Sequence, residues 1–357
     1  MKTFIARIAR ACAVIALGIA GTATAENAGA PAASPPYGIA VKRPIMQGAC
    51  PTCVWGPFAL TTKQIMARYD YDVQICWNCN QSESPRFVAD ARVPHDLTPD
   101  EIALGDPPPP KGPVDFGVTN ERLALWAYHG QFEYAKEKPR SNLRLIAHFE
   151  DPAFFIAAVK ADSGIVDLAD IAKRKMPVRI MANAKDDTIK PILEYYGIMP
   201  EQIAAWGGKY VNRKEALAGG VDVLINRSGS NANNEESMIW NWAATTTKLH
   251  YLALAQDLRD KLVRDLGYTP AVLPIGYLPG VTEPVPTIER SGQAVVGRDD
   301  MPDDFAYTLA KAMDTHRLEY LWSIRPFFID PRTVWKLEDL PLHPGAERYY
   351  REAGYIK

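Results

Sequence analysis

Short apolar runs alternate with amphipathic helical patterns along most of the chain. The run at 153–159 is almost continuously apolar and is typical of a strand, whereas 303–316 carries the spacing of a long amphipathic helix. Such alternation predicts βαβ units and a parallel sheet, and therefore an α/β fold. The predicted strands are 39–41, 71–76, 114–118, 143–147, 153–159, 178–181, 221–225, 249–254 and 295–296, and the predicted helices are 58–68, 121–128, 166–173, 188–196, 214–218, 235–244 and 303–316.

The order of these elements predicts two α/β lobes in one chain. The strands at 143–147 and 153–159 are joined by a bend at 150–152, which we interpret as the first passage between the lobes. A fresh series of strands and helices follows, and the chain returns through the strand at 295–296. The predicted lobes are lobe one, 37–152 and 286–357, and lobe two, 153–285.

The N-terminus has the layout of a secretory signal peptide. Lys2, Arg7 and Arg10 precede an apolar run at 11–20, and small residues ending at Ala25 follow it. This order is typical of a cleavable export signal, and the apolar run is about half the ~20 residues that span a bilayer, which disfavours a single anchoring helix. We expect a signal over 1–25, cleaved near Ala25, and a flexible mature N-terminus over 26–36. The mature chain is expected in the periplasm without membrane insertion.

Composition excludes several classes of partner. The 357 residues hold 40 Lys and Arg against 42 Asp and Glu, and 47% of them are hydrophobic. Removing the signal leaves 37 basic residues and a net charge of −5, with the signs interspersed. The chain therefore lacks the basic footprint of a nucleic-acid or membrane-surface protein. Its length suffices for two domains with their own cores.

Five local patterns stand in order along the chain. They are LRLIA at 143–147, KADSGI at 160–165 with DL at 167–168, GGVDV at 219–223, IGYLPG at 275–280, and LHPGA at 342–346 with YY at 349–350. In this order they resemble the TAXI-type solute-binding subunits of TRAP transporters, within the type II periplasmic binding proteins, and the resemblance covers 37–354. It implies two lobes joined by crossover strands, a ligand cleft between them and no catalysis. It also implies a TRAP-type membrane permease as the partner, although relatives with this fold deliver to ABC permeases.

One departure from the family pattern bears on the ligand. In typical relatives the first strand is followed by a glycine-rich loop with aromatic residues that helps to hold glutamate or a dicarboxylate. Here residues 48–57 read GACPTCVWGP. We therefore do not carry glutamate over, and we expect a small organic molecule, either a carboxylate or an aromatic acid.

Four cysteines remain after signal cleavage, as two C-x-x-C pairs: Cys50 with Cys53, and Cys76 with Cys79. Both pairs follow strands that we expect to be adjacent and parallel, so the four thiols should meet at the cleft wall of lobe one. Because the periplasm oxidises paired thiols, we favour two disulfides, and four cysteines leave three connectivities open. A metal or soft-ligand site and redox-active thiols are the alternatives. They underlie a second hypothesis, a periplasmic metal-handling or thiol–disulfide protein.

Candidate ligand contacts lie where predicted strands end and helices begin, because open α/β sheets bind ligands at the carboxyl ends of their strands. Tryptophan offers a large flat contact surface there, although aromatic residues also serve as core, and Asn and Thr also serve as helix caps. The candidates in lobe one are Trp55, Trp77, Asn78, Asn80, Thr119 and Asn120. Those in lobe two are Asn183, Lys185, Thr188, Asn226, Ser228 and Asn231, with Asp187 and Arg227 beside them.

The sequence contains no recognisable catalytic or cofactor motif. The six histidines lack H-x-x-x-H and H-E-x-x-H spacing, and Ser228 does not stand in a G-x-S-x-G elbow. The glycine pairs do not fit the phosphate-binding or dinucleotide fingerprints. We therefore expect no enzyme, no cofactor and no metal. Among the histidines, His148 is singled out because it lies beside the predicted first passage.

Overall fold

The computed structural model describes residues 37–49, 55–77, 83–150, 153–186, 189–229, 235–290, 292–322 and 329–357. All of them belong to the unit Pro36–Lys357.

Strands in the described residues form two separate β-sheets. The strands are β1 (Ile45–Gln47), β2 (Gln74–Ile75), β3 (Phe116–Asn120), β4 (Leu143–Phe149), β5 (Ala153–Lys160), β6 (Arg179–Met181), β7 (Lys209–Tyr210), β8 (Val223–Gly229), β9 (Leu249–Leu252), β10 (Thr269–Leu273), β11 (Val285–Arg290) and β12 (Gln293–Arg298). Sheet one has the order β2-β1-β3-β12-β4. Sheet two has the order β10-β11-β5-β8-β6-β7, and β9 also pairs with β5. The predicted α/β class is confirmed as a mixed α/β fold with two sheets.

Helices connect most of the strands and cover the sheets. They are α1 (Trp55–Ala67), α2 (Ser84–Ala89), α3 (Pro99–Leu104), α4 (Glu121–His129), α5 (Ala169–Lys173), α6 (Lys190–Tyr195), α7 (Pro200–Ala205), α8 (Arg213–Gly219), α9 (Glu235–Thr246), α10 (Gln256–Leu266), α11 (Asp303–Thr315) and α12 (Pro344–Glu352). Across the described part of the chain, none of these helices combines the length and the apolar character needed to span a bilayer.

Each sheet is buried on both faces, because alternate residues of its central strands enter different cores. In sheet one, Val295 packs into the core formed with α1, α11 and α12, whereas its neighbours Ala294 and Val296 enter the core on the α4 side. In sheet two, Phe155 and Ile156 of β5 divide in the same way between two cores. This explains the nearly continuous apolar run of β5, since a strand covered on both faces needs no polar side.

The chain passes between the sheets twice. The first passage joins β4 to β5 between Phe149 and Ala153, and the second joins β11 to β12 between Arg290 and Gln293. The two passages run side by side in opposite directions, because Gln293 is opposite Phe149 and Arg290 is opposite Ala153. The return thus comes after β11, beyond the lobe boundary predicted at 285, and the division into lobes stays a prediction.

Most predicted strands and helices occur within a few residues of their expected ends, and the strand that precedes Cys76, β2, pairs in parallel with β1. The strand predicted at 39–41 is wrong, because Ile39–Val41 forms a single 3-10 turn. Gly38 and Arg43 close this turn by exchanging backbone hydrogen bonds of 2.7 and 2.9 Å. The apolar residues of the segment therefore lie in a tight loop before β1.

Candidate functional site

The carboxyl ends of the parallel strands of both sheets lie toward the two passages. In sheet one, β12 runs antiparallel to β3 and to β4, so β1, β2, β3 and β4 all point toward the edge that the first passage leaves. In sheet two, β8 runs antiparallel to β5 with Gly229 opposite Ala153, and β6 and β7 are parallel to β8. Both sheets therefore direct the edges that bind ligands in open α/β folds toward the same region.

Asn120 and Gly292 join the end of β3 to the second passage. The Asn120 side chain caps α4 by accepting the backbone N–H of Arg122 at 3.0 Å, and its Nδ2 donates to the carbonyl of Gly292 at 2.9 Å. The backbone N–H of Glu121 donates to the same carbonyl at 3.3 Å. One buried amide, 2% exposed, thus both starts a helix and fixes the chain that returns to sheet one.

Glu121 and His148 form a largely buried pair next to this junction. The imidazole Nε2 of His148 donates to Oε2 of Glu121 at 2.7 Å, and the two side chains are 12% and 7% exposed. Gly292 has a φ of +50°, and a Cβ placed on it would lie 1.8 Å from Oε2 of Glu121 and 2.7 Å from Nε2 of His148. The second passage therefore contacts the pair so closely that only glycine fits.

Helix α4 also contacts sheet two directly. The guanidinium of Arg122 donates to Oε1 of Glu338 at 2.6 Å and to Oγ1 of Thr269, at the start of β10, at 3.3 Å. One turn further, the indole of Trp126 lies against Gly267, where an added Cβ would be 2.7 Å from Cζ2. Within the described residues, the contacts with Thr269 and Gly267 thus connect α4 to the start of β10, in addition to the two passages.

In sheet two, Arg227 and Asp186 form an ion pair at the edge that points toward the passages. Nη2 of Arg227 lies 3.3 Å from Oδ2 of Asp186, and the side chains are 18% and 21% exposed. Arg227 stands near the end of β8, and Asp186 follows β6, the parallel neighbour of β8. The backbone of Arg227 is also held in place, because its carbonyl accepts the indole N–H of the fully buried Trp240 at 3.0 Å.

The lobe-one candidates fall into three groups. Thr119 is fully buried in β3, and Asn120 holds the junction described above. Trp55 is 6% exposed and packs edge-on against Phe58, 5.5 Å between ring centroids, while Trp77 packs against the same core. Asn78 and Asn80 lie outside the described residues. A ligand contact by any of these stays a prediction.

Among the lobe-two candidates, Asn183 and Lys185 form an exposed turn in which the amide oxygen of Asn183 accepts the Lys185 N–H at 3.1 Å. The strand predicted to end at 225 continues to Gly229, so Asn226 and Ser228 lie within β8, opposite Ile156 and Phe154, and not in a turn after it. Pairing with the long strand β5 explains the extension. Asp187, Thr188 and Asn231 lie outside the described residues.

Of the four paired cysteines, the described residues include Cys76. Cys76 directly follows β2, donates its backbone N–H to the carbonyl of Met46 at 3.0 Å and has 1% of its surface exposed. Cys50, Cys53 and Cys79 lie outside the described residues, so the pairing stays a prediction. Within the described ranges, no three His, Cys, Asp or Glu side chains group as metal ligands.

Sequence reasoning missed Glu121 and Gly292 and named Arg227 without its partner Asp186. Gly292 lies three residues before the strand predicted at 295–296, and a glycine so close to a predicted return between lobes is a weak signal for a tight crossing. The partners themselves left no signal, because Glu121 and His148 are 27 residues apart and Asp186 and Arg227 are 41 apart. Only the register of the two sheets brings each pair together.

One family model and several solved structures are similar to this chain. A model of the NMT1-like family matches residues 110–354. Similar solved structures include a TctC solute binding protein from Polaromonas, with 11% identity, a TM-score of 0.42, and 79% of this chain and 89% of that chain covered. MatC from Rhodopseudomonas palustris with bound malate has 13% identity, a TM-score of 0.38, and 88% and 97% covered. The periplasmic aliphatic sulphonate binding protein SsuA from Escherichia coli has 10% identity, a TM-score of 0.37, and 87% and 88% covered.

Proposed function

We propose, because the chain belongs to the NMT1-like family, that it is a solute-binding protein of a membrane transport system and not an enzyme. The observation that carries the proposal is the orientation of the two sheets. Both direct the carboxyl ends of their parallel strands toward the two adjacent passages. A small molecule held there would contact strand ends and helix starts from both sheets at once.

The two passages support closure of one lobe over the other. We infer the two lobes predicted from the sequence, with the second boundary moved from 285 to the second passage after Arg290 and with the two passages as the hinge. Hinges in two-domain receptors are a few residues at the ends of elements, as between Phe149 and Ala153. Ligand that contacts both lobes stabilises the closed form in proportion to its preference for that form.

The finer part of the proposal concerns compartment, ligand and partner. The basic and apolar N-terminal segment supports export to the periplasm with cleavage near Ala25. The ligand is a small carboxylate or aromatic acid, and the partner is a TRAP-type permease. In this reading two disulfides among Cys50, Cys53, Cys76 and Cys79 staple the loops after β1 and β2.

A ligand screen tests the receptor function. The mature chain is purified and mixed with succinate, L-malate, L-glutamate, benzoate and phenylacetate, and its thermal unfolding is followed, since a ligand that binds only the folded state raises the Tm. Small-angle scattering then measures the radius of gyration, which is expected to fall when the ligand binds. A chain that turns over any of these compounds without a ligand-dependent rise in Tm contradicts the proposal.

Export and delivery need separate experiments. The intact mass of the periplasmic protein is expected to correspond to a chain starting at Glu26. Uptake of the labelled ligand into vesicles that contain the permease is expected to need this protein and an ion gradient. If uptake requires ATP hydrolysis, the partner is an ABC permease, and the proposed receptor function is unaffected.

A further inference from the structure

We propose that the guanidinium of Arg227, held in place by Asp186, binds the anionic end of the solute. This inference rests on the proposed receptor function and deepens it by naming the charge of the ligand and the group that recognises it. The first support is position. Arg227 is opposite Phe155, two residues from the start of β5, so it stands next to the first passage.

The second support is the environment of the charge. The Arg227 side chain is 18% exposed, and a charge so far removed from water is costly unless it is paired. Asp186 supplies that pairing through Nη2, and its own carboxylate remains 21% exposed. The pair is thus neither a solvated surface contact nor a sealed core bridge. It keeps a positive group preorganised at a strand edge, where a planar carboxylate can be bound by two parallel N–H donors.

The third support is rigidity. The carbonyl of Arg227 is bound by the buried indole of Trp240, and the carbonyl of the next residue, Ser228, accepts the hydroxyl of Tyr277 at 3.0 Å. Two aromatic donors therefore hold the backbone of β8 at this residue and at the next one. A binding group held in this way loses little conformational entropy when the ligand arrives.

In this arrangement Asp186 is a positioning residue that also competes with the ligand. The Asp186 carboxylate is bound to the Arg227 guanidinium, and a ligand carboxylate must share the guanidinium with it. Removal of the Asp186 charge with its shape preserved is therefore expected to strengthen binding of anions. If the ion pair is purely structural, substitution of either partner should change stability and leave anion binding unchanged.

The test compares carboxylates with their uncharged amides at matched ionic strength. Benzoate is paired with benzamide, and succinate with succinamide, and the Kd and the rise in Tm are measured for the wild-type protein and for Arg227→Met, Arg227→Lys and Asp186→Asn. We expect the wild type to prefer the charged member of a pair. Arg227→Met should weaken binding of the charged compound by about 10- to 100-fold and leave binding of the amide unchanged. Arg227→Lys should retain part of the preference, and Asp186→Asn should increase it.

Arg174→Met is the matched control, because Arg174 is exposed and donates to the carbonyl of Gly164 at 2.9 Å, away from the passages. A charge preference that survives Arg227→Met overturns the inference and leaves the receptor function intact. Equal binding of carboxylate and amide also overturns it, since the ligand is then neutral. If no member of either pair binds, the inference and the carboxylate part of the proposed function both fail.

Discussion

Glu121 and His148 are joined by a hydrogen bond of 2.7 Å across 27 residues of sequence, and the second passage lies on top of them. Glu121 begins α4 and His148 is the penultimate residue of β4, so the pair ties a helix start to the strand that leaves sheet one. Asn120 fastens the returning chain to the same place through the Gly292 carbonyl. This cluster therefore anchors both passages to sheet one, and bending between the sheets is expected on the side of Ala153 and Arg290.

Gly292→Ala is expected to lower the free energy of unfolding by about 2–4 kcal/mol, because a Cβ would overlap Glu121 and the backbone φ of +50° is strained for alanine. Equilibrium urea unfolding measures the change. Gly164→Ala is the control, since Gly164 has a similar φ of +68° but nothing within 4 Å of its added Cβ. It should cost only the backbone term of about 1–2 kcal/mol. Equal losses for the two variants would show that the close contact with Glu121 is unimportant.

The Glu121–His148 pair is expected to be energetically coupled. A double-mutant cycle with Glu121→Ala and His148→Ala should give a coupling energy of about 1–3 kcal/mol in urea unfolding, since both partners are buried. The exposed bidentate pair Arg68–Glu319, with N···O distances of 2.6 and 2.8 Å, is the control cycle. Solvent screening should make its coupling smaller. A Glu121–His148 coupling energy no larger than that of the control would show that this pair does not anchor the passages.

Much of the fold could be predicted because its strongest elements carry their own signals. The apolar run at 153–159 became β5, and the amphipathic pattern at 303–316 became α11. Helix α10 was missed, although its buried Leu258 and Leu262 stand at the helical spacing that predicts it. Short elements failed more easily, as at Ile39–Val41, where a hydrogen-bonded loop overrides the β-branched residues.

The candidate site was harder to predict, because its contacts depend on pairing between distant strands. The sequence pointed to strand ends, which brought Asn120, His148 and Arg227 into consideration. Their partners Gly292, Glu121 and Asp186 are identified only once β12 lies between β3 and β4, and β8 beside β6. Register is set by whole sheets, and no local pattern encodes which residue ends opposite which.

Trp126→Ala is expected to weaken the direct contact between α4 and sheet two. The indole is packed between Phe132, with 4.6 Å between the ring centroids, and the backbone at Gly267, so its removal should lower the free energy of unfolding by about 1–3 kcal/mol. Gly267→Ala provides the cross-check. It should be more damaging in the wild type, where the added methyl meets the indole, than in Trp126→Ala. Identical effects in both backgrounds would show that the indole and Gly267 do not interact.

A thiol assay tests the predicted disulfides. The periplasmic protein, denatured without reductant, is expected to show no free thiol, and elemental analysis is expected to show no zinc. Replacing all four of Cys50, Cys53, Cys76 and Cys79 by serine should then lower the Tm without changing any bound metal. Four reactive thiols with stoichiometric zinc would favour the metal-handling hypothesis instead.

His343 is expected to make the protein less stable in mild acid. Its side chain is fully buried at the start of α12, where Nδ1 accepts the backbone N–H of Gly345 at 3.2 Å and Nε2 donates to the carbonyl of Met301 at 3.1 Å. Burial lowers the pKa of His343, and Asp303, 3.7 Å away, only partly opposes this. The neutral ring is therefore the form that fits the fold.

The sign of the pH dependence follows from this lowered pKa. As the pH falls below about 6.5, the unfolded chain binds the proton first, so the free energy of unfolding decreases until the folded-state pKa is reached. Urea unfolding between pH 8 and pH 5 measures this loss. His343→Asn keeps a capping side chain but cannot titrate, so it should cost some stability at pH 8 and show a shallower decline toward pH 5 than the wild type. If the two declines are parallel, protonation of His343 does not contribute to the acid sensitivity of the fold.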